Sequence, residues 1–261
     1  MSKIEWTEKT INCVTGCSYC SPGCRNCYAE KMTQRLKAMG QEKYAQGFNV
    51  VTCHPDVLDQ LSPKQKPAVY FVNSMSDTFH DKVDDDFIGE LYNTMFACHQ
   101  HTFIVLTKRA ERMGTFLSEV GIEIPDHIWH GATVCNQEEA DAKIPHLLNV
   151  PGKRFLSIEP MLGPIDLTTT GFLGCDCRAG ECLGICNWYS SATDPSKRDH
   201  QVILGGESGP GARPLHPNWV RGVRDQCESA GVPFMFKQDS GTRPNKLPEL
   251  DGAKHDSLIW G

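Results

Sequence analysis

AVYFVNSMSDTFHDKVDDDFIGELYNTMFACHQHTFIVLTKRAERMGTFLSEV, residues 68–120, holds two turns of one rhythm. An apolar, β-rich run (AVYFVNS, 68–74) is followed by DDFIGELYNTMFACH (85–99), whose apolar residues recur at helical spacing. A second run (TFIVLTK, 102–108) is followed by a second amphipathic stretch (RAERMGTFLSEV, 109–120). Strands that are apolar on both faces, each followed by an amphipathic helix, predict a parallel sheet with helices packed against it. Downstream the rhythm continues through IWHGATV (128–134), KRFLSIE (153–159), QVILGGE (201–207) and PFMFKQ (233–238), with helical patterns at NQEEADAKIPHLL (136–148) and NWVRGVRDQCESA (218–230). Upstream, NVVTC (49–53) reads as a strand, PDVLDQL (55–61) as a helix and INCVT (11–15) as a further short strand. YAEKMTQRLKAM (28–39) reads as a helix closed by Gly40, with Met32, Leu36 and Met39 on one stripe. This pattern predicts one domain over residues 1–261, a complete or partial (β/α) TIM-type barrel, in preference to an open doubly wound sheet.

The polar residues fall where the strands end. Asn73, Ser74, Ser76 and Asp77 follow one run and Thr107, Lys108 and Arg109 the next, then come Asn136, Glu159, Glu207 and Lys237. In a barrel those ends form the active face. The same face receives the segment after the first strand, VTGCSYCSPGCRNCYAEKM (14–32), with Cys17, Cys20, Cys24 and Cys27 and with Cys13 just upstream. Cys20, Cys24 and Cys27 are separated by three residues and then two, which brings three thiolates into one tight loop. That set suits a four-iron four-sulfur cluster with one iron left open better than a zinc ion wanting four ligands. An open iron is where radical S-adenosylmethionine (radical SAM) enzymes bind their cofactor, so the spacing points to a reaction class. A zinc site using Cys17 or Cys13 as fourth ligand remains the alternative.

Composition sets outer limits. The net charge is −6, which argues against broad non-specific binding of phosphate backbones, although a local basic patch can still hold a nucleotide or strand. The longest apolar runs, VYFV (69–72) and FIVL (103–106), are far short of the roughly 20 residues of a membrane helix. MSKIEWTEKT offers no apolar leader, so the 13 cysteines are expected as thiols or metal ligands in the cytoplasm. Residues about 166–200 break the rhythm and hold Cys175, Cys177, Cys182 and Cys186. This stretch reads as an insertion held by metal, a zinc ion or a second iron–sulfur cluster. His54, His80, His99, His101 and His216 show no paired spacing of a separate metal site.

The blocks SKIEWTEKT, VTGC…SPGCRNCYAEKM, FVNSMSDTFH, LTKRAERM, SIEPMLGPIDL and GGESGPGARPLHPNWVRGVRDQC…GVPFMFKQ resemble the phage three-Cys-motif proteins, long carried as a domain of unknown function. The resemblance spans nearly the whole chain except the cysteine-rich insertion, and it implies a radical-SAM-like barrel with an iron–sulfur loop. In that family the recurrent trio falls on Cys17, Cys24 and Cys27, with Cys20 and Cys13 as additions here. Cys24 and Cys27 are thus common to both readings, and the third ligand is Cys20 by spacing or Cys17 by resemblance. The residue before the last cysteine, often aromatic in radical SAM enzymes, is Asn26. Gly205, Gly206 and Glu207 echo the Gly-Gly-Glu segment that holds the methionyl amino group in many such enzymes, but here that segment ends a late strand.

The cofactor presents an ammonium, a carboxylate and ribose hydroxyls. Glu159 and Glu207 are therefore candidates for the ammonium, Lys108 or Arg109 for the carboxylate, and Asn73, Ser76 and Asp77 for the ribose. The function expected is a radical SAM-type enzyme drawing electrons from a reductant such as flavodoxin or ferredoxin. Its substrate is unidentified, with a nucleotide or nucleic-acid base as the analogy-based guess. The alternative is a non-enzymatic, zinc-stabilised barrel that binds nucleic acid or a protein partner.

Overall fold

A computed structural model describes residues 4–121, 123–174 and 200–260. Cys175, Cys177, Cys182 and Cys186 lie outside the described residues. In chain order the elements are β1 (Lys9–Ile11), β2 (Val14–Thr15), α1 (Tyr28–Ala38), β3 (Thr52–Cys53), β4 (Val69–Val72), α2 (Asp85–Ala97), β5 (Thr102–Thr107), α3 (Ala110–Val120), β6 (Ile128–Thr133), α4 (Gln137–Leu148), β7 (Lys153–Ile158), β8 (His200–Gly205), α5 (Pro217–Ala230), β9 (Phe234–Gln238), β10 (Glu249–Leu250) and β11 (Ala253–Lys254).

Seven strands form one parallel sheet in the order β1-β4-β5-β6-β7-β8-β9. Neighbours in space are almost always neighbours in sequence, and the sheet curls into a half-barrel. Of the two barrel expectations the partial one holds: among the described residues no pairing joins β1 to β9, so the cylinder stays open. The strand count is seven, but its membership differs from the expectation. NVVTC (49–53) does not enter the sheet; its Thr52–Cys53 pairs antiparallel with β2. INCVT splits between β1 and β2, and β1 begins two residues earlier, at Lys9. PDVLDQL forms a 3₁₀ turn over Pro55–Gln60 rather than an α-helix.

Strand periodicity sorts the side chains onto two faces. Phe103 and Val105 of β5, Leu156 of β7, Val202 and Leu204 of β8 and Phe236 of β9 join the main core with Leu91 and Met95 of α2, Met113 of α3 and Val223 of α5. Ile104, Trp129, Phe155, Ile203 and Met235 point into the curl, where Trp6 and Trp260 pack with them. Trp260 Nε1 donates to the Trp6 carbonyl (3.1 Å), and the rings of Phe155 and Trp260 lie 5.3 Å apart. These aromatics fill the inside of the half-barrel next to the first residues of the strands. The first part of the expected insertion also belongs to the core: Leu167 and Phe172 are fully buried, and Phe172 stacks on His200 at 4.8 Å. The described part of that stretch, 166–174, forms no helix or strand, as expected, but Leu167 and Phe172 anchor it to the core. No helix among the described residues is long and apolar enough to cross a membrane.

A cysteine-lined cavity at the strand ends

Above the aromatic filling, the carboxyl ends of the strands open into a cavity of about 260 Å³. One wall is the cysteine segment. Gly16 turns the chain out of β2 with φ 79°, and a Cβ there would sit 2.0 Å from the Val50 carbonyl oxygen, so only glycine fits. The Cys17 amide then donates to the Phe48 carbonyl (2.7 Å). Ser21 Oγ accepts from the Gly23 amide (3.1 Å) and starts the 3₁₀ turn Pro22–Cys24, while Cys27 begins α1. The outcome is that Cys17, Cys20, Cys24 and Cys27 all line the cavity. Cys13 does not; it is fully buried and donates to Asn73 Oδ1 (3.4 Å), and burial pushes its thiol up to about 11.

The facing wall is built from strand ends: Asn73, Ser76 and Asp77 after β4, Lys108 and Arg109 after β5, Glu159 after β7, Gly206 and Glu207 after β8, and Lys237 at the end of β9. The barrel logic therefore brings these sequence-selected residues together. Gly205 and Asn136 stay outside the lining. Asn136 caps α4, accepting from the Glu139 amide at 3.0 Å. The glycine pair serves the chain itself, since a Cβ on Gly206 would meet Ser240 N at 2.6 Å and one on Gly205 would meet Glu159 Oε1 at 2.9 Å.

Each carboxylate in the cavity already has partners. Asp77 accepts from Arg109 Nη1 (3.1 Å), Thr107 Oγ1 (2.7 Å) and the amides of Phe79 (3.0 Å) and Lys108 (3.1 Å). Glu159 pairs with Lys237 (2.7 Å) and accepts from Ser157 Oγ (3.1 Å). Glu207 is held by Arg213 Nη2 (2.5 Å), Arg213 Nε (2.9 Å), the Arg213 amide (2.8 Å) and Asn26 Nδ2 (2.8 Å). Burial alone would raise the Glu207 carboxyl, but the Arg213 and Asn26 hydrogen bonds outweigh it and hold it at about 2. Asn73 spends Oδ1 on the Val14 amide (2.9 Å) and Nδ2 on Thr78 (2.8 Å), and Ser76 donates to the Val14 carbonyl (2.7 Å). Arg109 also reaches Cys17 Sγ (3.7 Å) and the Ser18 hydroxyl (3.0 Å). The Lys108 ammonium has no hydrogen-bond or ion-pair partner among the described residues.

The thiols differ. A hydrogen bond from Cys20 is the main cause that lowers Cys24 to about 5, with burial opposing and Lys108 assisting. Donating that bond pushes Cys20 up, and burial pushes Cys17 up. Burial disfavours the charged form of Lys108, yet the Cys24, Cys135, Asp77 and Cys27 charges overcome it and raise this amine. The four cavity thiols stand beside an ammonium and a guanidinium, cations that would offset the negative charge of thiolate ligands. Among the described residues no three His, Cys, Asp or Glu side chains converge as they would around a bound metal ion.

Several residues of the site carry no sign of their structural role in the sequence. Asn26, the departure from an aromatic, ties the cysteine segment to Glu207 and to the Gly211 carbonyl (3.1 Å). Cys135, fully buried after β6, lies beneath that segment: a Cβ on Gly23 would come within 2.6 Å of its Sγ. Tyr19 and Tyr28 sit at the cavity mouth, 60% and 59% exposed. No curated protein and no solved structure matches this chain. One family model, described as "Protein of unknown function (DUF5131)", covers residues 1–260, and with that coverage the chain belongs to the DUF5131 family.

Proposed function

We propose that the chain is a radical SAM-type enzyme whose cysteine segment holds a four-iron four-sulfur cluster. The observation that carries this reading is the shared cavity, where Cys17, Cys20, Cys24 and Cys27 meet Lys108, Glu159 and Glu207 at the ends of parallel strands. When bound, such a cluster gives one electron to S-adenosylmethionine, whose carbon–sulfur bond breaks to methionine and a 5′-deoxyadenosyl radical that takes hydrogen from a substrate. Cys24 and Cys27 supply two ligands, and Cys17 or Cys20 supplies the third. The hydrogen bond from Cys20, aided by Lys108, shifts the Cys24 thiol toward the thiolate that iron binds. Lys108, whose ammonium has no hydrogen-bond or ion-pair partner among the described residues, pairs with the methionyl carboxylate. Glu159 or Glu207 receives the ammonium by sharing oxygens with Lys237 or Arg213. Ser76, whose hydrogen is committed to Val14, retains lone pairs for a ribose hydroxyl.

Anaerobic reconstitution with iron and sulfide tests the reading directly. Wild-type protein should be brown, and with S-adenosylmethionine and dithionite it should release 5′-deoxyadenosine. Cys24→Ala and Cys27→Ala should each lose the iron, because two remaining thiolates hold a four-iron cluster poorly. Of Cys17→Ala and Cys20→Ala, only one should do the same. Full iron retention in Cys24→Ala would sink the cluster assignment, and a colourless zinc protein would instead support the metal-stabilised binding barrel.

A further inference from the structure

The helix that leaves the cysteine segment is poorly covered. Of the eleven residues of α1, only Thr33 is buried, and the expected apolar stripe fails to pack: Met32 and Leu36 are partly covered while Met39 is 62% exposed. What α1 presents instead is cationic. Arg25, Lys31, Arg35 and Lys37 are all exposed, and none has an ion-pair partner among the described residues. From 25 to 37 they face one acid, Glu30, giving a local charge of +3 in a chain of −6. Glu30 is itself engaged by the Tyr19 hydroxyl. Tyr28, Lys31 and Arg35 stand at i, i+3 and i+7, one face of the helix. Tyr28, at the near end of that face, and Tyr19, which precedes the helix, also line the cavity, while Lys37 stands round the helix from that face. Exposed aromatic rings leading away from a pocket along a row of free cations match the two demands of a single strand of nucleic acid, stacking for bases and charge for phosphates. The loop before α2 has the opposite character, with Asp81, Asp84, Asp85 and Asp86 all exposed.

We propose that single-stranded nucleic acid docks along α1, with phosphates on Arg25, Lys31, Arg35 and Lys37, bases stacked on Tyr28 and Tyr19, and one base turned into the cysteine-lined cavity. The docking stands on charge and exposure alone; treating the inserted base as the substrate rests on the radical-enzyme reading. A duplex fits less well, because paired bases offer no free face to the tyrosines.

Fluorescence anisotropy with a labelled twelve-nucleotide oligothymidylate, on the anaerobically reconstituted full chain, reads the docking. Three or four neutralised phosphates predict a slope of log affinity against log salt of about −2 to −3. The triple variant Lys31→Glu, Arg35→Glu, Lys37→Glu should bind at least 30-fold more weakly with a shallower slope, while keeping its iron content. The pair Tyr19→Ala, Tyr28→Ala should lose about 30-fold or more, the order expected for two stacked bases, with the slope unchanged. Wild-type affinity in the triple variant would overturn the proposal, as would equal competition by duplex, by thymidine monophosphate or by a polyglutamate peptide. If the oligonucleotide binds as expected but no 5′-deoxyadenosine ever forms, the docking surface stands and the radical-enzyme reading falls.

Discussion

Glu207 shows how much of the site hangs on one side chain. Its carboxylate joins the cysteine segment, through Asn26, to the segment after β8, through Arg213, so that two stretches 181 residues apart are pinned together. The pH behaviour follows from its lowered titration. A carboxyl at about 2 when folded, against an ordinary 4.5, contributes stability that is complete above roughly pH 5 and is lost as the pH falls toward 2. Glu207→Gln should therefore be less stable than wild type in urea unfolding at pH 7, with nearly the same gap at pH 5 and a clearly narrower one at pH 3.5. A gap that stays constant across that range would mean the charge of Glu207 plays no part. Residues such as Asp77, Lys108, Glu159 and Glu207 were legible because strand-end polarity needs only local sequence to see. Asn26, Arg213 and Cys135 were not, since their importance lies in partners that local sequence does not reveal. Asn73 was legible as a site residue but spends its polar atoms on Val14, Thr78 and Cys13, a commitment visible only in three dimensions.

Among the elements, β6 and β7 show how the interior of the curl is filled. Gly131 and Phe155 are register partners, and a Cβ on Gly131 would lie 2.2 Å from the Phe155 ring. The missing side chain on one strand is the space occupied by the ring on the next. Gly131→Ala should cost about 1–3 kcal/mol of unfolding free energy, the range for overpacking, and the added Phe155→Leu should return part of it. Wild-type stability in Gly131→Ala, measured by urea unfolding, would show that the ring has room to move. The longer strands β5 to β9 could be read from sequence because burial on both faces makes them apolar along their length. Helices α3 and α5 were bounded by the glycines Gly121 and Gly231, which adopt left-handed φ of 62° and 67° at the helix ends. β1 was misplaced because Lys9 and Thr10 are exposed at a sheet edge and carry no apolar signal. NVVTC misled for the converse reason: its β-branched run is consumed by a two-residue pairing with β2 outside the sheet.

At the scale of the molecule, the two sides of the cavity are unequally anchored. β4 to β9 stand side by side with long registers, while β1 contributes three residues and, in the sheet, pairs only with β4. Hydrogen exchange should reflect this: amides of β1 and β2 should exchange faster than those of β5, β6 and β7, by way of a partial opening that leaves the main core intact. Equal protection across all of them would mean that the sheet opens only as a whole. The short edge strand has a further consequence. The cysteine segment leaves β2 and runs into α1, so releasing β1 and the β2–β3 pair would loosen one end of the stretch that carries all four cavity thiols, with its Asn26–Glu207 and Arg109–Ser18 bonds as the remaining ties. The margin that carries the cysteines is thus the part of the sheet held by the fewest strand pairings, a three-residue edge beside a body of longer registers.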